Sequence, residues 1–299
     1  MSYLIGIDLG GSSIKALALT PEGERLFEQQ RSFDVDAADD WAKEIRTLID
    51  EIEAPQGEEA LSLGISAPGL VDREMRSIRN MPGRLQGLVG LDWTDFLGRE
   101  TAVPIMNDAQ AALAGEAWIG AVKDIDHVVF LTLGTGVGGA VKVDGHILRG
   151  AIGRAGHVGH ICLNPSGKPD ICRTPGSLEL AVGNCTIQER TKGQFETTHA
   201  LVEAMKAGDL SAQGYWQETV HHLACGIVSL VNVVDPEVVV IGGGIARAGN
   251  ALFEPLAAEM AKMEWIVPGH RVEVRPAALG EWAGAYGAAI TGFQALHSG

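Results

Sequence analysis

Cysteine is scarce in this sequence, which has four in 299 residues. They lie at irregular spacings, at Cys162, Cys172, Cys185 and Cys225. So few cysteines in a chain of this length exclude the disulfide framework of a small secreted domain. We therefore expect reduced thiols and a cytoplasmic protein.

Long hydrophobic runs and an excess of positive charge are also missing. The longest apolar stretches fall far short of the roughly 20 residues that a membrane-spanning helix needs. Residues 1–11 show no basic segment followed by an apolar one, so no signal peptide is expected. Lys and Arg number 23 against 38 Asp and Glu, a formal net charge of −15. Because nucleic acids and anionic membranes are bound by clustered Lys and Arg, we expect neither as a partner.

The sequence does contain one pattern twice. Residues 3–20 predict a strand, a glycine turn and a second strand, and residues 128–148 predict the same order. Helices and strands alternate after each copy. The predicted fold class is therefore α/β, with two related domains and a ligand cleft between them.

Both glycine turns are candidate phosphate sites. At Gly10-Gly11 the backbone N–H groups can surround a phosphate while Asp8 holds Mg²⁺, or the turn is a plain hairpin that Asp8 caps. In residues 134–139 four glycines occur in six positions, and the Thr135 hydroxyl adds a donor. The alternative there is a β-bulge or crowded strand packing. The occurrence of one design in both halves favours phosphate binding.

Two further strand ends carry candidate residues. Gly242-Gly243-Gly244 can let a flat ligand such as adenosine lie against the backbone, although an ordinary strand-to-helix turn is the better interpretation of this motif by itself. Asp108 follows Asn107 where a strand ends and a helix begins. A carboxylate there can accept the proton of a hydroxyl that attacks phosphorus. Asp and Asn are also preferred helix N-caps, and the spacing alone favours the cap.

Two histidines lie three residues apart in a glycine-rich stretch. His157 and His160 are candidates for metal ligands, substrate contacts or ordinary polar loop residues. The glycines around them make a role in a packed core less probable on composition.

Together these motifs resemble the ROK family of sugar kinases and repressors, within the larger group of actin-like ATPase-domain sugar kinases. The resemblance covers nearly the whole chain. The matching segments are residues 5–18 and 133–139 (phosphate motifs), 66–72 (the loop after the third strand), 80–83 (a sugar-side loop), 107–116 (catalytic Asp and its helix), 240–245 (adenosine motif) and 284–289 (last helix).

The resemblance implies two actin-like (ribonuclease H-like) domains, of residues 1–112 with the C-terminal helix 282–299, and of residues 113–281. It implies an ATP- and Mg²⁺-dependent kinase, as a homodimer or homotetramer, that phosphorylates a hexose or N-acetylhexosamine at O6 with Asp108 as general base. The implied sugar contacts are Gly69, Asn80, Asn107, Asp108, His157, His160 and Glu179. The implied ATP contacts are Asp8 (also the Mg²⁺ ligand), Gly10, Gly11, Ser12, Lys15, Gly134, Thr135, Gly136, Gly138, Gly242, Gly243 and Gly244.

The sequence departs from the family at the sugar motif. The usual Glu-x-Gly-His is His157-Val158-Gly159-His160 here, as in some bacterial N-acetylmannosamine kinases. A neutral imidazole donates and accepts hydrogen bonds, whereas a carboxylate only accepts, so His157 suits an N-acetyl carbonyl. The alternative substrate is an ordinary hexose such as glucose.

A second departure concerns the zinc loop. The family commonly has Cys-x-Cys-Gly-x-x-Gly-Cys plus the motif histidine, and of the three cysteine positions here only Cys172 is kept. Asp170 and Ser177 stand at the other two. Because His160, Cys172 and Asp170 make a poor tetrahedral set, we predict no structural zinc.

A sugar-binding regulator without significant kinase activity is the alternative function. Family repressors carry an N-terminal helix-turn-helix domain, which is not expected here because the first phosphate motif starts at Ile5. Asp8, Asp108 and both glycine turns favour the kinase, with ATP rather than polyphosphate as phosphoryl donor.

Overall fold

The computed structural model describes residues 2–81, 85–265 and 267–297, which form a mixed α/β structure. The strands are β1 (Leu4–Leu9), β2 (Ser13–Leu19), β3 (Arg25–Ser32), β4 (Ser62–Ala67), β5 (Leu70–Val71), β6 (Ile78–Asn80), β7 (Ile105–Asn107), β8 (Val128–Leu133), β9 (Val137–Val143), β10 (His146–Ile147), β11 (Val238–Gly242) and β12 (Glu273–Pro276). The helices are α1 (Asp40–Glu53), α2 (Trp93–Leu97), α3 (Asp108–Trp118), α4 (Leu178–Val182), α5 (Ile187–Arg190), α6 (Thr198–Lys206), α7 (Leu210–Val234), α8 (Asn250–Met263) and α9 (Ala283–Ala295). No helix in these ranges combines the length and apolarity needed to cross a membrane.

Two sheets share one topology, as the repeated sequence pattern predicts. The first has the order β3-β2-β1-β4-β7 and the second β10-β9-β8-β11-β12. In the first sheet β1 pairs antiparallel with β2 and parallel with β4, and β4 pairs parallel with β7. In the second sheet β8 pairs antiparallel with β9 and parallel with β11, and β11 pairs parallel with β12. The central strands β4 and β11 are buried along their length, which explains their continuous apolar sequences.

The chain forms two compact units that differ from the predicted domains in their bounds. The first consists of Met1–Asp124, Ile147–Ala155 and Ala278–Gly299, and the second of Ile125–His146 and Gly156–Ala277. The predicted boundary at residue 112 falls inside α3, a continuous helix. Residues 147–155, predicted with the second domain, belong to the first unit. There the Gln110 side chain on α3 donates to the carbonyls of Leu148 and Ala155, each at 3.4 Å.

Helix α9 lies unusually close to the first sheet. A Cβ atom added to Gly6 on β1 would lie 1.9 Å from the carbonyl oxygen of Ala285, and one on Gly64 of β4 would lie 2.0 Å from that of Ala288. Such distances require glycine, because no side chain fits between the two backbones. The close packing fixes the ends of β1 and β4, where the candidate site residues of this unit begin.

Candidate active site

Asp8 lies at the carboxyl end of β1, beside the ends of the parallel strands β4 and β7. Its Oδ1 accepts a 2.7 Å hydrogen bond from the hydroxyl of Ser66, its neighbour on β4. Burial raises the pKa of Asp8 to about 6, and the charge of Asp108 adds to this rise. The Ser66 hydrogen bond and the charge of Lys15 oppose it. The protein therefore leaves this carboxylate short of positive charge, which suits a divalent cation with oxygen ligands.

The turn after Asp8 brings the other predicted phosphate contacts of the first unit together. Leu9 pairs with Ile14, and a 2.8 Å hydrogen bond from Gly10 N to Ser13 O closes the loop between them. Gly11 and Ser12 lie in this loop, and Lys15 follows on β2 as the direct neighbour of Asp8. The loop is thus part of a hairpin rather than a helix start, and its N–H groups can form an anion nest.

Asn107, not Asp108, is the N-cap of α3. Its backbone is extended, and its Oδ1 accepts a 3.1 Å hydrogen bond from Ala109 N. Asp108 is the first helical residue, is solvent-accessible, and accepts a 2.8 Å bond from the same N–H. Because Asn107 already provides the cap that the spacing predicted at this junction, the Asp108 carboxylate remains available for chemistry.

The surroundings of Asp108 shift the pKa of its carboxyl upward. Although the residue has an open face, neighbouring atoms desolvate its carboxyl and raise its pKa, against hydrogen bonds from Ala109 N and Asn107 that lower it. A carboxylate with a raised pKa is a better general base near neutral pH than an unperturbed one.

Two predicted sugar contacts are connected to this helix start. The Asn107 amide Nδ2 donates a 3.1 Å hydrogen bond to Gly69 O. Gly69 has φ +113°, and a Cβ there would lie 3.0 Å from the carbonyl oxygen of Asn80, which ends β6 and is exposed. Pro82 and Gly83, which belong to the same sugar-side motif, lie outside the described residues. Gly69, Asn80, Asn107 and Asp108 therefore form one group of neighbours.

In the second unit, Glu179 supports the second glycine turn, residues 134–136 between β8 and β9. Its Oε2 accepts a 3.0 Å hydrogen bond from Val137 N, where β9 begins. A Cβ at Gly136 would lie 2.2 Å from the same oxygen, so the contact requires glycine there. Glu179, predicted as a sugar contact, thus also anchors the predicted phosphate turn.

The residues after α4 hold the same turn from its other side. Asn184 N donates to Gly134 O at 3.0 Å, and Cys185 N donates to Thr135 O at 2.8 Å. The Arg190 guanidinium donates to the carbonyls of residues 182 and 183, at 3.2 and 3.1 Å, and so fixes the segment that makes these contacts. These hydrogen bonds give the turn a defined conformation.

A cavity of about 480 Å³ opens beside this turn, within the size range of small-molecule sites. Three predicted ATP contacts line it, Gly134, Thr135 and Gly244. Its wall carries Arg247 and Lys206, the latter paired with Glu203 of the same wall at 3.1 Å. The cavity therefore has the size expected for a nucleotide and one cation, Arg247, beyond this ion pair.

The three glycines at the end of β11, Gly242 to Gly244, differ in the local packing that favours glycine at each position. A Cβ at Gly243, whose φ is +85°, would lie 2.4 Å from Leu133 O, so packing against β8 explains this residue. A Cβ at Gly242 would contact Ala277 at 3.2 Å. Gly244 and Gly134 have no described atom within 4 Å of a Cβ, and both face the cavity. The strand-turn interpretation accounts for two glycines of the triplet, and the ligand interpretation fits the third.

His157 precedes a single 3₁₀ turn, Val158–His160, that packs on β9, and His160 is its last residue. A Cβ at Gly159 would lie 1.8 Å from Val137 O, which shows how closely the turn approaches the strand. Both histidines are half-buried. His160 Nδ1 lies 2.8 Å from Asp170 Oδ2, so the carboxylate orients its ring.

No motif in the sequence singles out several residues of these sites. Asn184 contacts the turn through its backbone N–H, and Thr198, Lys206 and Arg247 line the cavity from segments distant in sequence. Ser66 lies in the matched segment 66–72, but no motif predicts its hydrogen bond to Asp8. Thr198 follows Thr197, the N-cap of α6. The Asp170–His160 contact joins a predicted sugar contact to a residue that the sequence marks only as a weak metal ligand.

Known proteins match this chain along almost its full length. The ROK family model matches residues 4–294. A glucokinase of Thermotoga maritima is 33% identical, with 96% of each chain covered, and a xylose repressor of Caldicellulosiruptor bescii is 26% identical, covering 91% of this chain and 73% of the repressor. The crystal structure of a ROK family glucokinase from Streptomyces griseus in complex with glucose and AMPPNP has a TM-score of 0.79 at 25% identity, covering 98% of this chain and 100% of that one. These matches confirm the predicted α/β fold of the actin-like type, and the chain belongs to the ROK family.

Proposed function

We propose that this protein is an ATP- and Mg²⁺-dependent sugar kinase that phosphorylates a hexose or N-acetylhexosamine at O6. The observation that carries the proposal is the start of α3, where Asn107 caps the helix and the neighbouring Asp108 presents a desolvated carboxylate. The charge of Asp108 contributes to the raised pKa of Asp8. The relatives that match along the whole chain, including a glucokinase, support the same activity.

On the sugar side, Asp108 accepts the proton of the attacking hydroxyl. The 3.1 Å hydrogen bond from the Asn107 side-chain amide to Gly69 O holds the loop beside it. The proposed sugar contacts in the first unit are Gly69, Asn80, Asn107 and Asp108, and in the second His157, His160 and Glu179. Since the reaction needs in-line attack on phosphorus, most of the rate enhancement comes from this positioning.

On the nucleotide side, the cavity beside Gly134 and Thr135 holds the nucleoside, and the two glycine turns donate N–H groups to phosphate oxygens. Lys15 adds a cation next to the first turn. Asp8 fits Mg²⁺ because it is half-buried, under-neutralised and free to offer a carboxylate oxygen beside Ser66. When bound, Mg²⁺ neutralises the charge that develops on the transferring phosphoryl group.

His157 is the position at which the sugar motif departs from the usual family sequence, and we propose that it influences the choice of sugar. Its imidazole can donate to an N-acetyl carbonyl, which the carboxylate usual at this position cannot do. We therefore propose N-acetylmannosamine as the sugar to test first, with glucose as the alternative.

A coupled kinase assay tests both activity and substrate. Purified protein is given MgATP, or polyphosphate, with glucose, mannose, fructose, allose, N-acetylglucosamine or N-acetylmannosamine. We expect turnover with ATP and highest kcat/KM for one N-acetylhexosamine. Turnover of glucose alone would contradict the role given to His157, and no turnover of any sugar would contradict the kinase.

The second candidate function is sugar-dependent regulation, because a xylose repressor is also similar along 91% of this chain. Calorimetry separates the two: a sugar that binds with no phosphorylation by ATP identifies a regulator, whereas binding accompanied by turnover identifies a kinase.

A further inference from the structure

Four side chains meet where the family's zinc motif has its ligands, and they bind one another. His160, Asp170, Cys172 and Ser177 occupy the histidine and the three cysteine positions. Donor atoms of His160, Asp170 and Cys172 lie within 4.8 Å of one another. Asp170 also shares a hydrogen bond with Ser177. The fold thus brings the four positions together although two of the usual thiolates are missing.

These residues do not fit a structural zinc ion. Two nitrogen or oxygen ligands at ~2.0–2.2 Å from a tetrahedral zinc lie about 3.3 Å apart or more, whereas His160 Nδ1 and Asp170 Oδ2 are 2.8 Å apart, an ordinary hydrogen-bond distance. Cys172 Sγ approaches the other ring nitrogen, Nε2, at 3.5 Å. Since one imidazole presents a single nitrogen to a given ion, the thiol and the carboxylate are not arranged around one metal position.

Asp170 is instead saturated by hydrogen bonds. Its side chain has no exposed surface. Oδ1 accepts from Cys172 N at 2.8 Å and from Thr174 N at 2.9 Å, while Oδ2 accepts from His160 Nδ1–H. A buried carboxylate is stable only when its oxygens are paired in this way. Burial alone would raise the pKa of Asp170, and the hydrogen bonds from His160, Ser177 and Thr174 outweigh it and lower the pKa.

The same carboxylate connects the loop from residue 162 to residue 177 with the 3₁₀ turn that precedes it. It binds backbone N–H groups inside the loop, the Ser177 side chain at the start of α4, and the ring of His160. A zinc ion would make connections of this kind by coordination, and here hydrogen bonds to one side chain make them.

We propose that Asp170 takes the place of the metal: it closes the loop 162–177 and holds His160 with its proton on Nδ1. In the neutral imidazole, Nε2 is then a hydrogen-bond acceptor. A metal bound to a ring nitrogen would leave the other nitrogen as a donor. His160 Nε2 therefore acts as an acceptor towards the Cys172 thiol at 3.5 Å and, on the proposed function, towards a sugar hydroxyl. The metal-free loop does not depend on that function.

Metal analysis and thermal unfolding test the loop. Protein produced in zinc-supplemented medium is expected to contain substoichiometric zinc, with a Tm unchanged by a chelator. Asp170→Asn should lower the Tm by about 5 °C or more, because it removes a buried charged acceptor, whereas Cys172→Ser should leave it within about 1 °C of the parent value. One zinc per chain, with a Tm that falls on chelation and in Cys172→Ser, would overturn the proposal. If Asp170→Asn does not fold, the metal content and Cys172→Ser still decide.

Nitrogen-15 NMR of the imidazoles tests the orientation of His160. We expect the pattern of a neutral ring protonated at Nδ1 in the parent protein. A ring protonated only at Nε2 would contradict the assignment. Neither measurement needs a sugar or ATP, so absence of kinase activity would overturn the proposed function and leave these results interpretable.

Discussion

Residue environment decides which of two neighbouring polar side chains does chemistry at the start of α3. Sequence spacing alone favours a helix cap over a catalytic role at this junction, and the structure gives the cap to Asn107. The desolvated carboxyl of Asp108, with its raised pKa, is left as the candidate base.

Asp108→Asn is expected to fold normally, because Asn107 still caps α3, and to lose about 10²–10⁴-fold in kcat. Steady-state kinetics with the best sugar and circular dichroism measure the two effects. Asp209→Asn, the same change at the N-cap of α7, is the matched control and should keep full activity. Near-normal kcat in Asp108→Asn would contradict the assignment of the base.

Asp8 should destabilise the protein at neutral pH when no divalent cation is present. Its folded pKa of about 6 exceeds the ordinary 3.8, so between these values the folded form binds more protons than the unfolded form. The free energy of unfolding therefore falls as pH rises through this window. Asp8→Asn should be more stable than the parent at pH 7.5, on the order of 1 kcal/mol, show little difference at pH 4, and lack kinase activity.

Urea titrations at both pH values, with a chelator present, measure this effect. If Asp8→Asn proved less stable than the parent at pH 7.5, Asp8 would be a structural anchor of β1 and β4, and the cation role would lose its support.

Thr198 is expected to bind the nucleotide. It is 3% exposed and lines the 480 Å³ cavity, and its hydroxyl has no hydrogen-bond partner among the described residues. A buried hydroxyl gains a bond when a polar ligand arrives, worth about 1 kcal/mol. Thr198→Val should raise KM for ATP about fivefold and leave KM for the sugar unchanged, while Thr198→Ser should behave as the parent. An unchanged KM for ATP in the valine variant would show that the nucleotide lies elsewhere.

At the scale of elements, one helix in each unit positions candidate site residues. Helix α9 packs directly on β1 and β4, and the short α4 connects the predicted sugar contact Glu179 with the turn 134–136. Helix periodicity predicts that such elements exist, but the contact between α4 and the turn joins residues that are 42 positions apart.

Gly64 tests the packing of α9. Gly64→Ala should destabilise the protein by about 3 kcal/mol or more, because its Cβ would lie 2.0 Å from Ala288 O and the two backbones must separate. Gly214→Ala, at an exposed position of α7 with no described atom near the new Cβ, should stabilise by about 0.5–1 kcal/mol. Urea unfolding of both variants measures the difference, and equal effects would refute the close approach of α9.

At the scale of the whole molecule, the net charge of −15 opposes the approach of an anionic nucleotide. Salt screens this repulsion, since the Debye length falls to about 8 Å at 0.15 M. We expect kcat/KM for MgATP to rise by up to about threefold between 10 mM and 150 mM salt. A steep fall over that range would show that local cations such as Lys206 and Arg247 dominate the field at the cavity.

The sequence by itself determined the α/β class, the repeated strand-turn-strand pattern and the family, because periodicity and glycine turns are local properties of the chain. Only the tertiary structure decided which residues share a site. It gave the cap to Asn107, returned residues 147–155 to the first unit, and separated Gly243, required by packing, from Gly244, which faces the cavity. It also joined Asp170 to His160. These outcomes depend on contacts between distant segments, whose geometry no local pattern specifies.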